Sequence, residues 1–341
     1  MRIATYNVEW FTNLFDHNDH VLADGERSGR EGVTRGDQVA AIGRVLRAVD
    51  ADLVLIVEAP DSGHGRQTVR ALENFAKAAS LRTTQSVMGF ANGTEQELAV
   101  LYDPQLVSVN HTPRGSPVGN HLDRLAPRFD TVFRYDLDAD GIAEPVTFSK
   151  PPLELTVKTK AGHELSLIGV HIKSKAPHGA RNENDVMRIS IENRKKALAQ
   201  CIWLRRRIDE HLAAHRSLVV LGDVNDGPGL DEYEKLFGRS SVEVLIGDGA
   251  GEHLVEPHAD TILQRKGVAA PTSSRFYLVQ EGRYLEALLD YIMLSKDLAA
   301  KGAKWRILHP FDDPASFADD TLRQALLTAS DHFPVFVDLD L

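Results

Sequence analysis

The sequence predicts an α/β sandwich, because short apolar strands alternate along it with amphipathic helices. Seven runs have the length and the apolar content of buried strands. In chain order they are Ile3–Tyr6, Leu53–Val57, Leu98–Tyr102, Leu165–Val170, Leu218–Leu221, Tyr291–Leu294 and Phe333–Val337. Runs that are apolar throughout are typical of strands covered on both faces, so we expect helices to lie over the sheets.

Three segments have the apolar spacing of helices. The first runs from Val39 to Val49 and is preceded by Thr34 and Asp37, which form a capping pair. The second runs from Val69 to Ala79, and the third and longest from Ile191 to Leu212. The order of strands and helices predicts a mixed α/β architecture rather than an all-β or all-α one.

Composition and charge limit the classes of protein to consider. The chain has 341 residues, of which 43% are hydrophobic, and no low-complexity tract divides it, so we expect one domain over residues 1–341. Its single cysteine, Cys201, lies in an apolar helical stretch and is predicted to be a packed thiol. No stretch reaches transmembrane length and the first residues lack a signal peptide, which predicts a cytoplasmic protein.

The net charge of −10 disfavours a protein whose whole surface binds nucleic acid. The charge is uneven, because residues 171–207 contain ten Lys and Arg residues against three acidic ones. Within this stretch, Arg205–Arg207 follow a helical apolar face and are predicted to form a solvent-facing stripe. The stretch Asp136–Gly141 imitates the start of a calcium loop, but Thr147 stands where the bidentate Glu is needed, so a solvated turn is predicted there.

Polar residues stand at the ends of the predicted strands. They follow four of the strands and precede two others, as expected if those two run antiparallel to the rest. The residues are Asn7 and Glu9, Glu58, His171, Asp223 and Asn225 after strands, and Asp290, Asp331 and His332 before strands. Each of them alone could cap a loop or organise a turn, but together they predict one site at a sheet edge.

A cluster with this many carboxylates needs a cation, because like charges in a shared site raise one another's pKa. The ligand atoms are hard oxygens, which favour Mg²⁺ or Mn²⁺ over structural zinc. A phosphoester substrate fits such a site: the metal would neutralise a phosphoryl oxygen, a carboxylate would orient water, and a histidine would assist the leaving group.

Six motifs in order along the chain resemble those of the endonuclease/exonuclease/phosphatase superfamily, which has the fold of deoxyribonuclease I. They are ATYNVEW, LVLIVEA, GVHIKSK, GDVND, LDYIMLS and SDHFPV. The resemblance implies a four-layer α/β sandwich, with two mixed β-sheets packed face to face and helices outside. It also implies a single metal-dependent phosphoesterase site at the sheet edge.

The resemblance also implies roles for the site residues. Asn7 and Glu58 match the metal-site positions, with Glu9 near them and Asp331 completing the shell through water. Asp223 and Asn225 match the pair that holds the attacking water and the scissile phosphate, and His332 with Asp290 matches the histidine–carboxylate pair. His171 matches the second active-site histidine, with Glu97 as its partner. Tyrosine occupies that histidine position in apurinic endonucleases, which argues against an abasic-site enzyme.

The substrate is less closely defined by the sequence. Lys173 and Lys175 follow His171 and are predicted to contact the substrate's phosphate. A phosphodiester in DNA or RNA is the first substrate hypothesis, and a small or lipid-derived phosphoester is the alternative favoured by the acidic pI. A catalytically inactive binding module is disfavoured because every motif residue is present. No protein partner is indicated.

Overall fold

The computed structural model describes residues 1–63, 65–94, 96–116, 125–137, 141–177, 179–230, 234, 238–247, 251–264, 270–278 and 282–341. The strands of this part of the chain are β1 (Arg2–Asn7), β2 (Leu53–Ala59), β3 (Gln85–Met88), β4 (Glu97–Tyr102), β5 (Val107–His111), β6 (Phe133–Tyr135), β7 (Glu144–Val146), β8 (Leu153–Thr159), β9 (Glu164–His171), β10 (Leu218–Asp223), β11 (Ser274–Leu278), β12 (Arg283–Ala287), β13 (Asp290–Leu294), β14 (Lys304–Ile307) and β15 (Val335–Asp338). All seven predicted strands are among them.

The helices over the same residues are α1 (Arg35–Val49), α2 (Thr68–Ala78), α3 (Glu183–Ala213), α4 (Ser241–Ile246), α5 (Pro257–Gln264), α6 (Lys296–Ala299), α7 (Pro314–Ala318) and α8 (Asp320–Ala329). The three predicted helices correspond to α1, α2 and α3. The Thr34 hydroxyl accepts a hydrogen bond from the backbone N–H of Asp37, as the capping pair predicted.

Two large mixed sheets form the centre of the fold. The first has six strands in the order β14-β15-β1-β2-β4-β3, and the second has five in the order β13-β10-β9-β8-β5. Within them β1 runs parallel to β2 and β9 parallel to β10, whereas β13 and β15 run antiparallel to β10 and β1. The expected reversal of these two strands is therefore confirmed.

Apolar side chains divide between the two faces of each sheet, as the two-residue period of a strand requires. In β2, Leu53, Leu55 and Val57 pack against the second sheet, while Val54 and Ile56 pack against helices. Helices α1, α2 and α8 cover the outer face of the first sheet, and α3 and α4 cover that of the second. The result is the four-layer sandwich, with helices outside two sheets that pack face to face.

The same alternation directs the polar strand ends into the layer between the sheets. In β10, Val219 and Leu221 face the other sheet, so Asp223, two residues further on, faces it too. Cross-strand register places Asp223 beside His171 of β9 on one side and Asp290 of β13 on the other. The polar ends of both sheets thus meet at one open end of the inter-sheet layer.

The solvent-facing stripe predicted at Arg205–Arg207 is wrong for Arg205 and Arg207, whereas Arg206 is exposed. Arg207 is fully buried, and its Nη2 donates to the carbonyls of Arg114, Ala126 and Pro127 over 2.9–3.1 Å. Arg205 donates to the carbonyls of Leu245, Ile246 and Glu252, and Arg206 lies over the Phe133 ring. Loops and α4 cover Arg205 and Arg207. Helical periodicity alone could not reveal these tertiary contacts.

Three residues of the calcium-like stretch Asp136–Gly141, numbers 138–140, lie outside the described residues. Among the described residues, no helix combines the length and the apolar character needed to cross a membrane.

Candidate active site

A cavity of about 850 Å³ opens where the polar strand ends meet. Most of the residues predicted for the site line it, and they come from both sheets. These are Asn7, Glu9, Glu58, His171, Lys173, Lys175, Asp223, Asn225, Asp331 and His332. Its size is in the range of small-molecule and cofactor sites.

Asp223 is the most constrained carboxylate of the site. Its Oδ1 accepts the backbone N–H of Asn225 over 2.8 Å, and its Oδ2 accepts the amides of Asn225 and Asn7 over 3.0 and 3.1 Å. Asn225 adopts the left-handed backbone conformation (φ 52°), which turns its amide back toward this carboxylate. Burial raises the pKa of Asp223 to about 7. The structure brings Asp223 and Asn225 together, and their role in holding water and phosphate stays a prediction.

His332 and Asp290 form a buried pair. His332 Nδ1 donates to Asp290 Oδ2 over 2.7 Å, and the Ser273 hydroxyl donates to the same oxygen over 2.8 Å. Burial alone would lower the pKa of His332, but the charge of Asp290 and this hydrogen bond raise it well above its ordinary value. Asp290 lies behind the histidine and does not line the cavity itself. His332, in contrast, is one of the residues that line the cavity.

His171 has a different environment from His332. Burial lowers the pKa of His171 well below its ordinary value, and the nearby Lys150 ammonium lowers it further, so the ring is neutral. Lys150 Nζ contacts both nitrogens of this ring, at 3.2 Å from His171 Nδ1 and 3.4 Å from Nε2. His171 Nε2 lies 3.6 Å from Asp223 Oδ2 and 3.9 Å from Glu58 Oε1.

Lys150 is a site residue whose role the sequence did not establish. It precedes β8 in the stretch SKPPL, and no motif or periodicity marks it as functional. Burial lowers its pKa, although the carboxylates of Glu58 and Asp223 oppose that effect. The structure brings it to the site through the antiparallel pairing of β8 with β9, which ends at His171.

Glu97, the predicted partner of His171, lies elsewhere. Its carboxylate accepts hydrogen bonds from the side-chain amide and the backbone N–H of Asn92, over 2.7 and 3.2 Å. In β4, Ala99 and Leu101 pack toward the helices, so Glu97 shares that outer face, whereas His171 ends a strand of the other sheet and points inward. The hypothesis of a Glu97–His171 pair is therefore corrected, and Lys150 occupies the place of the partner.

Glu58 reaches the cavity because of a β-bulge. The register between β2 and β4 shifts between Val57 and Ala59, and Glu58 adopts a positive φ of 61°. Without this bulge Glu58 would share the helix-facing side of Val54 and Ile56. Bulges re-aim side chains in this way beside active sites. Burial raises the pKa of the Glu58 carboxyl.

The donor atoms around Glu58 fit a hard divalent cation. Asn7 is buried, and its Oδ1 has no hydrogen-bond partner, although its Nδ2 is bonded to Asp223. Asp331 lines the same cavity. An amide oxygen and two carboxylates are ligands that Mg²⁺ and Mn²⁺ accept. The orphaned amide oxygen is a buried acceptor of the kind that a metal ion satisfies.

Glu9 is held by its neighbours at the rim of the cavity. Arg30 forms an ion pair with its carboxylate, and the Trp10 indole N–H donates to it over 2.8 Å. Burial and the charge of Asp331 nevertheless raise the pKa of Glu9 to about 7. Arg30 neutralises this corner of the site, and nothing in the local sequence pairs it with Glu9.

Among the described residues, one set of three His and Asp side chains is close enough to hold a metal ion. Asp223, Asp290 and His332 offer ligand atoms within 4.8 Å of one another. These atoms already have partners, since His332 is bonded to Asp290 and Asp223 accepts three hydrogen bonds. Asn7, Glu58 and Asp331 line the same cavity, and this set contains the buried Asn7 Oδ1 that lacks a hydrogen-bond partner.

The two predicted phosphate-binding lysines differ. Lys175 is paired with the buried Asp226, which also lies 3.7 Å from Arg194. Lys173 lines the cavity, and no described carboxylate pairs with it; burial, with Lys196 nearby, lowers its pKa. Lys173 is therefore the lysine of this pair that can meet a phosphate without first breaking a described ion pair.

Comparison with known proteins gives a match over almost the whole chain. The model of the endonuclease/exonuclease/phosphatase family matches residues 4–332. No curated protein matches the chain.

The fold of this chain is similar to that of several solved structures. TDP2 from Caenorhabditis elegans has a TM-score of 0.50 at 12% identity, covering 98% of this chain and 74% of that one. A truncated form of the same protein has a TM-score of 0.50 at 13% identity, covering 98% and 95%. An AP endonuclease from Archaeoglobus fulgidus has a TM-score of 0.47 at 13% identity, with both chains covered fully. At these identities, the two TDP2 structures support the fold alone.

Proposed function

Because the chain belongs to the endonuclease/exonuclease/phosphatase family, we propose that it is a divalent-metal-dependent hydrolase of phosphodiester bonds. One observation carries the proposal above the others. Two ionisable groups at the strand ends have pKa values displaced in the directions that acid–base catalysis uses: His332 is held charged beside Asp290, and Asp223 is raised to about 7. Two titratable groups whose environments displace their pKa values in different ways are typically the general acid and the general base of an active site.

The reaction follows from these two groups. Asp223 accepts a proton from the attacking water as the water oxygen bonds to phosphorus, a role suited to a group with a pKa near neutrality. His332 donates its Nε2 proton to the leaving oxygen as the phosphorus–oxygen bond breaks. Asp290 holds the imidazolium in position throughout, and Asn225 orients Asp223 through the hydrogen bonds described above.

Neutral groups and cations complete the site. In this proposal the neutral His171 ring faces the phosphoryl group, and Lys150, which contacts both ring nitrogens, holds it in position. Asn7, Glu58 and Asp331 would hold the divalent cation, whose contribution when bound is to neutralise charge on a phosphoryl oxygen. Lys173, which lines the same cavity, adds a positive charge.

Nucleic acid is one substrate class that we consider. Arg181 and Arg188 lie near the start of α3, with side chains 90% and 59% exposed, where they could follow a phosphate backbone. However, Arg181 lies close to Asp185, and Arg188 pairs with Asp185 and Glu192. The cavity volume of about 850 Å³ and the net charge of −10 favour the second class, a small phosphoester.

The proposal is tested by incubating the purified chain with Mg²⁺, Mn²⁺ or EDTA and a panel of phosphoesters. The panel holds bis-p-nitrophenyl phosphate, p-nitrophenyl phosphate, plasmid DNA and inositol phosphates. The variant H332A tests whether the activity belongs to this site, and H163A, at an exposed histidine, is the matched control. Lack of metal-dependent hydrolysis of every phosphoester, or equal activity in H332A, would contradict the proposal.

Salt dependence separates the two substrate classes. A nucleic-acid enzyme should show a KM that rises steeply between about 50 and 200 mM salt, because counterions are released on binding. In that case R181A and R188A should flatten the slope, as each removes a phosphate contact. A small-phosphoester enzyme should show a shallow slope and no response to either substitution.

A further inference from the structure

One wall of the active-site cavity is apolar and belongs to the hairpin β11–β12. Phe276 of β11 lies opposite Leu285 of β12, and Leu278 is on the same face, two residues further along β11. All three side chains line the cavity. The other face of the hairpin carries Tyr277 and Tyr284, whose exposed rings contact each other with centroids 5.0 Å apart.

The three side chains on the cavity face of the hairpin do not pack into the hydrophobic core. Phe276, Leu278 and Leu285 are each partly exposed, and in the described part of the chain they belong to none of the three apolar clusters that form the core. A hairpin that turns its apolar face toward a polar site leaves that face to water. Covering it with an apolar group would be favourable by about 25 cal/mol for each Å² removed from water.

The wall begins beside the histidine assigned to the leaving group. The Phe276 ring meets the His332 ring edge to face, with centroids 5.5 Å apart, and Ser274 forms a bridge with His332. The hairpin is also anchored to this segment by the N–H of Arg275, which donates to the carbonyl of Asp331 over 2.7 Å. The cations Lys150 and Lys173 also line the cavity, and Lys150 contacts His171 rather than His332.

We infer that the substrate is a phosphoester whose leaving group carries an apolar moiety, aryl or alkyl, that packs against Phe276 and Leu285. This rests on the proposed function, because it takes the cavity as a phosphoester site with His332 on the leaving-group side. The phosphate then lies between His332 and the cations, and the organic group extends along the hairpin. Substrate choice is thereby assigned to β11–β12 and not to the shared strand ends.

Binding of non-hydrolysable phosphonates tests this without relying on turnover. Dissociation constants of methylphosphonate, phenylphosphonate and hexylphosphonate are measured by calorimetry on the full chain with Mg²⁺ or Mn²⁺. Phenyl- or hexylphosphonate should bind at least about tenfold more tightly than methylphosphonate, since burial of several carbon atoms is worth more than one tenfold step. Whichever of the two binds more tightly identifies the apolar group as aryl or alkyl.

Two neighbouring residues on opposite faces of β12 provide the variant and its control. L285S should reduce the preference for the apolar phosphonate to nearly onefold and leave the affinity for methylphosphonate unchanged. Y284S, on the outer face, should keep the preference. K173A should weaken all three phosphonates by a similar factor, because it acts on the phosphonate group common to them.

Equal affinities for the three phosphonates, or an unchanged preference in L285S, would overturn the inference. Tighter binding of thymidine 5′-monophosphate than of either apolar phosphonate would also overturn the inference, because the cavity would then recognise a nucleoside rather than an apolar group. The two proposals fail separately. If the chain prefers phenylphosphonate but hydrolyses no phosphoester, only the proposed function is contradicted. If the chain is active but lacks this preference, only the inference about the apolar wall is contradicted.

Discussion

Asn7 and Asp223 join the two sheets at the active-site end, where Asn7 Nδ2 donates to Asp223 Oδ2 over 3.1 Å. The first residue ends β1 and the second ends β10, so 216 residues of chain separate the two partners. The same asparagine presents its unpaired Oδ1 to the proposed cation site. One side chain therefore links the carboxylate proposed as the base to the metal ligands.

The first prediction concerns this link. N7A should lower kcat about 10- to 100-fold, as is typical when a residue that orients a metal ligand or base is lost. It should lower the free energy of unfolding by only about 1–3 kcal/mol, because Asp223 keeps its two donors in Asn225. Steady-state kinetics and denaturant unfolding measure the two effects. N74A, which removes an amide that donates to the Asp19 carbonyl away from the cavity, is the control; equal kcat in N7A and N74A would refute the link.

The second prediction concerns the cation. E58Q should keep the fold and weaken the affinity for Mg²⁺ or Mn²⁺ by at least about tenfold, because an amide lacks the charge that holds a hard ion. Isothermal calorimetry measures the affinity and circular dichroism the fold. E164Q, at an exposed glutamate paired with Lys158, should bind the ion as the unmodified chain does. An unaltered dissociation constant in E58Q would place the cation elsewhere.

The third prediction follows from the Asp290–His332 pair. H332A should lower kcat by roughly 10²-fold or more, in line with general acid–base contributions. D290N should lower it less, and the double variant should be no worse than H332A, because the two residues act as a unit. A double variant that multiplied the two losses would argue against a shared role.

The pH profile gives a second view of the same pair. His332 must be protonated to act, and Asp290 raises its pKa, so the alkaline limb of the kcat profile should lie well above pH 6.5. Removing the Asp290 charge lowers that pKa, so in D290N the alkaline limb should move to lower pH. An alkaline limb at the same pH in D290N and in the unmodified chain would show that Asp290 does not set the pKa of His332.

The fourth prediction concerns Lys150 as a positioning residue for His171. K150M should lower kcat/KM about 10- to 100-fold, because the His171 ring loses the ammonium group that contacts both of its nitrogens. K150R should recover part of the loss, and K158M, at an exposed lysine of β8, should have no effect. ¹⁵N shifts of the His171 ring report the tautomer directly. Unchanged shifts in K150M would show that Lys150 does not set the orientation.

The fifth prediction tests stability away from the site. Burial alone would raise the pKa of Asp313, but hydrogen bonds from Arg306 and Ser316 lower it to about 2. A carboxyl whose pKa is lower in the folded chain stabilises the fold above its unfolded pKa of about 3.9, and that stabilisation is lost as the pH falls toward 2. D313N should therefore destabilise the chain by about 1–3 kcal/mol at pH 7.

The difference in the free energy of unfolding between D313N and the unmodified chain should narrow as the pH falls from about 4 toward 2, because the Asp313 carboxyl becomes protonated over this range. Urea unfolding at pH 7 and at pH 3 measures it. D340N, close to the chain end, is the control and should behave like the unmodified chain at both pH values. A gap that stayed constant with pH would show that the charge of Asp313 contributes nothing.

The strands, their polar ends and the family could all be read from the sequence. Each buried strand is a short apolar run, and the polar residue that interrupts it stands at a fixed place relative to the motif. The reversal of β13 and β15 followed from the order of polar and apolar residues alone. Hydrophobic period and local turn chemistry act over a few residues, so they are written in the chain itself.

Tertiary structure decided which side chains actually meet. Glu97 was matched to His171 by motif, but the pleat of β4 turns it outward, whereas the bulge at Glu58 turns that carboxylate inward. Lys150 reaches His171 only through the pairing of β8 with β9, and Arg207 is buried by a loop some 80 residues away in sequence. Contacts between residues far apart in sequence depend on strand register, on bulges and on the packing of loops against helices. None of these features produces a periodic pattern in the local sequence.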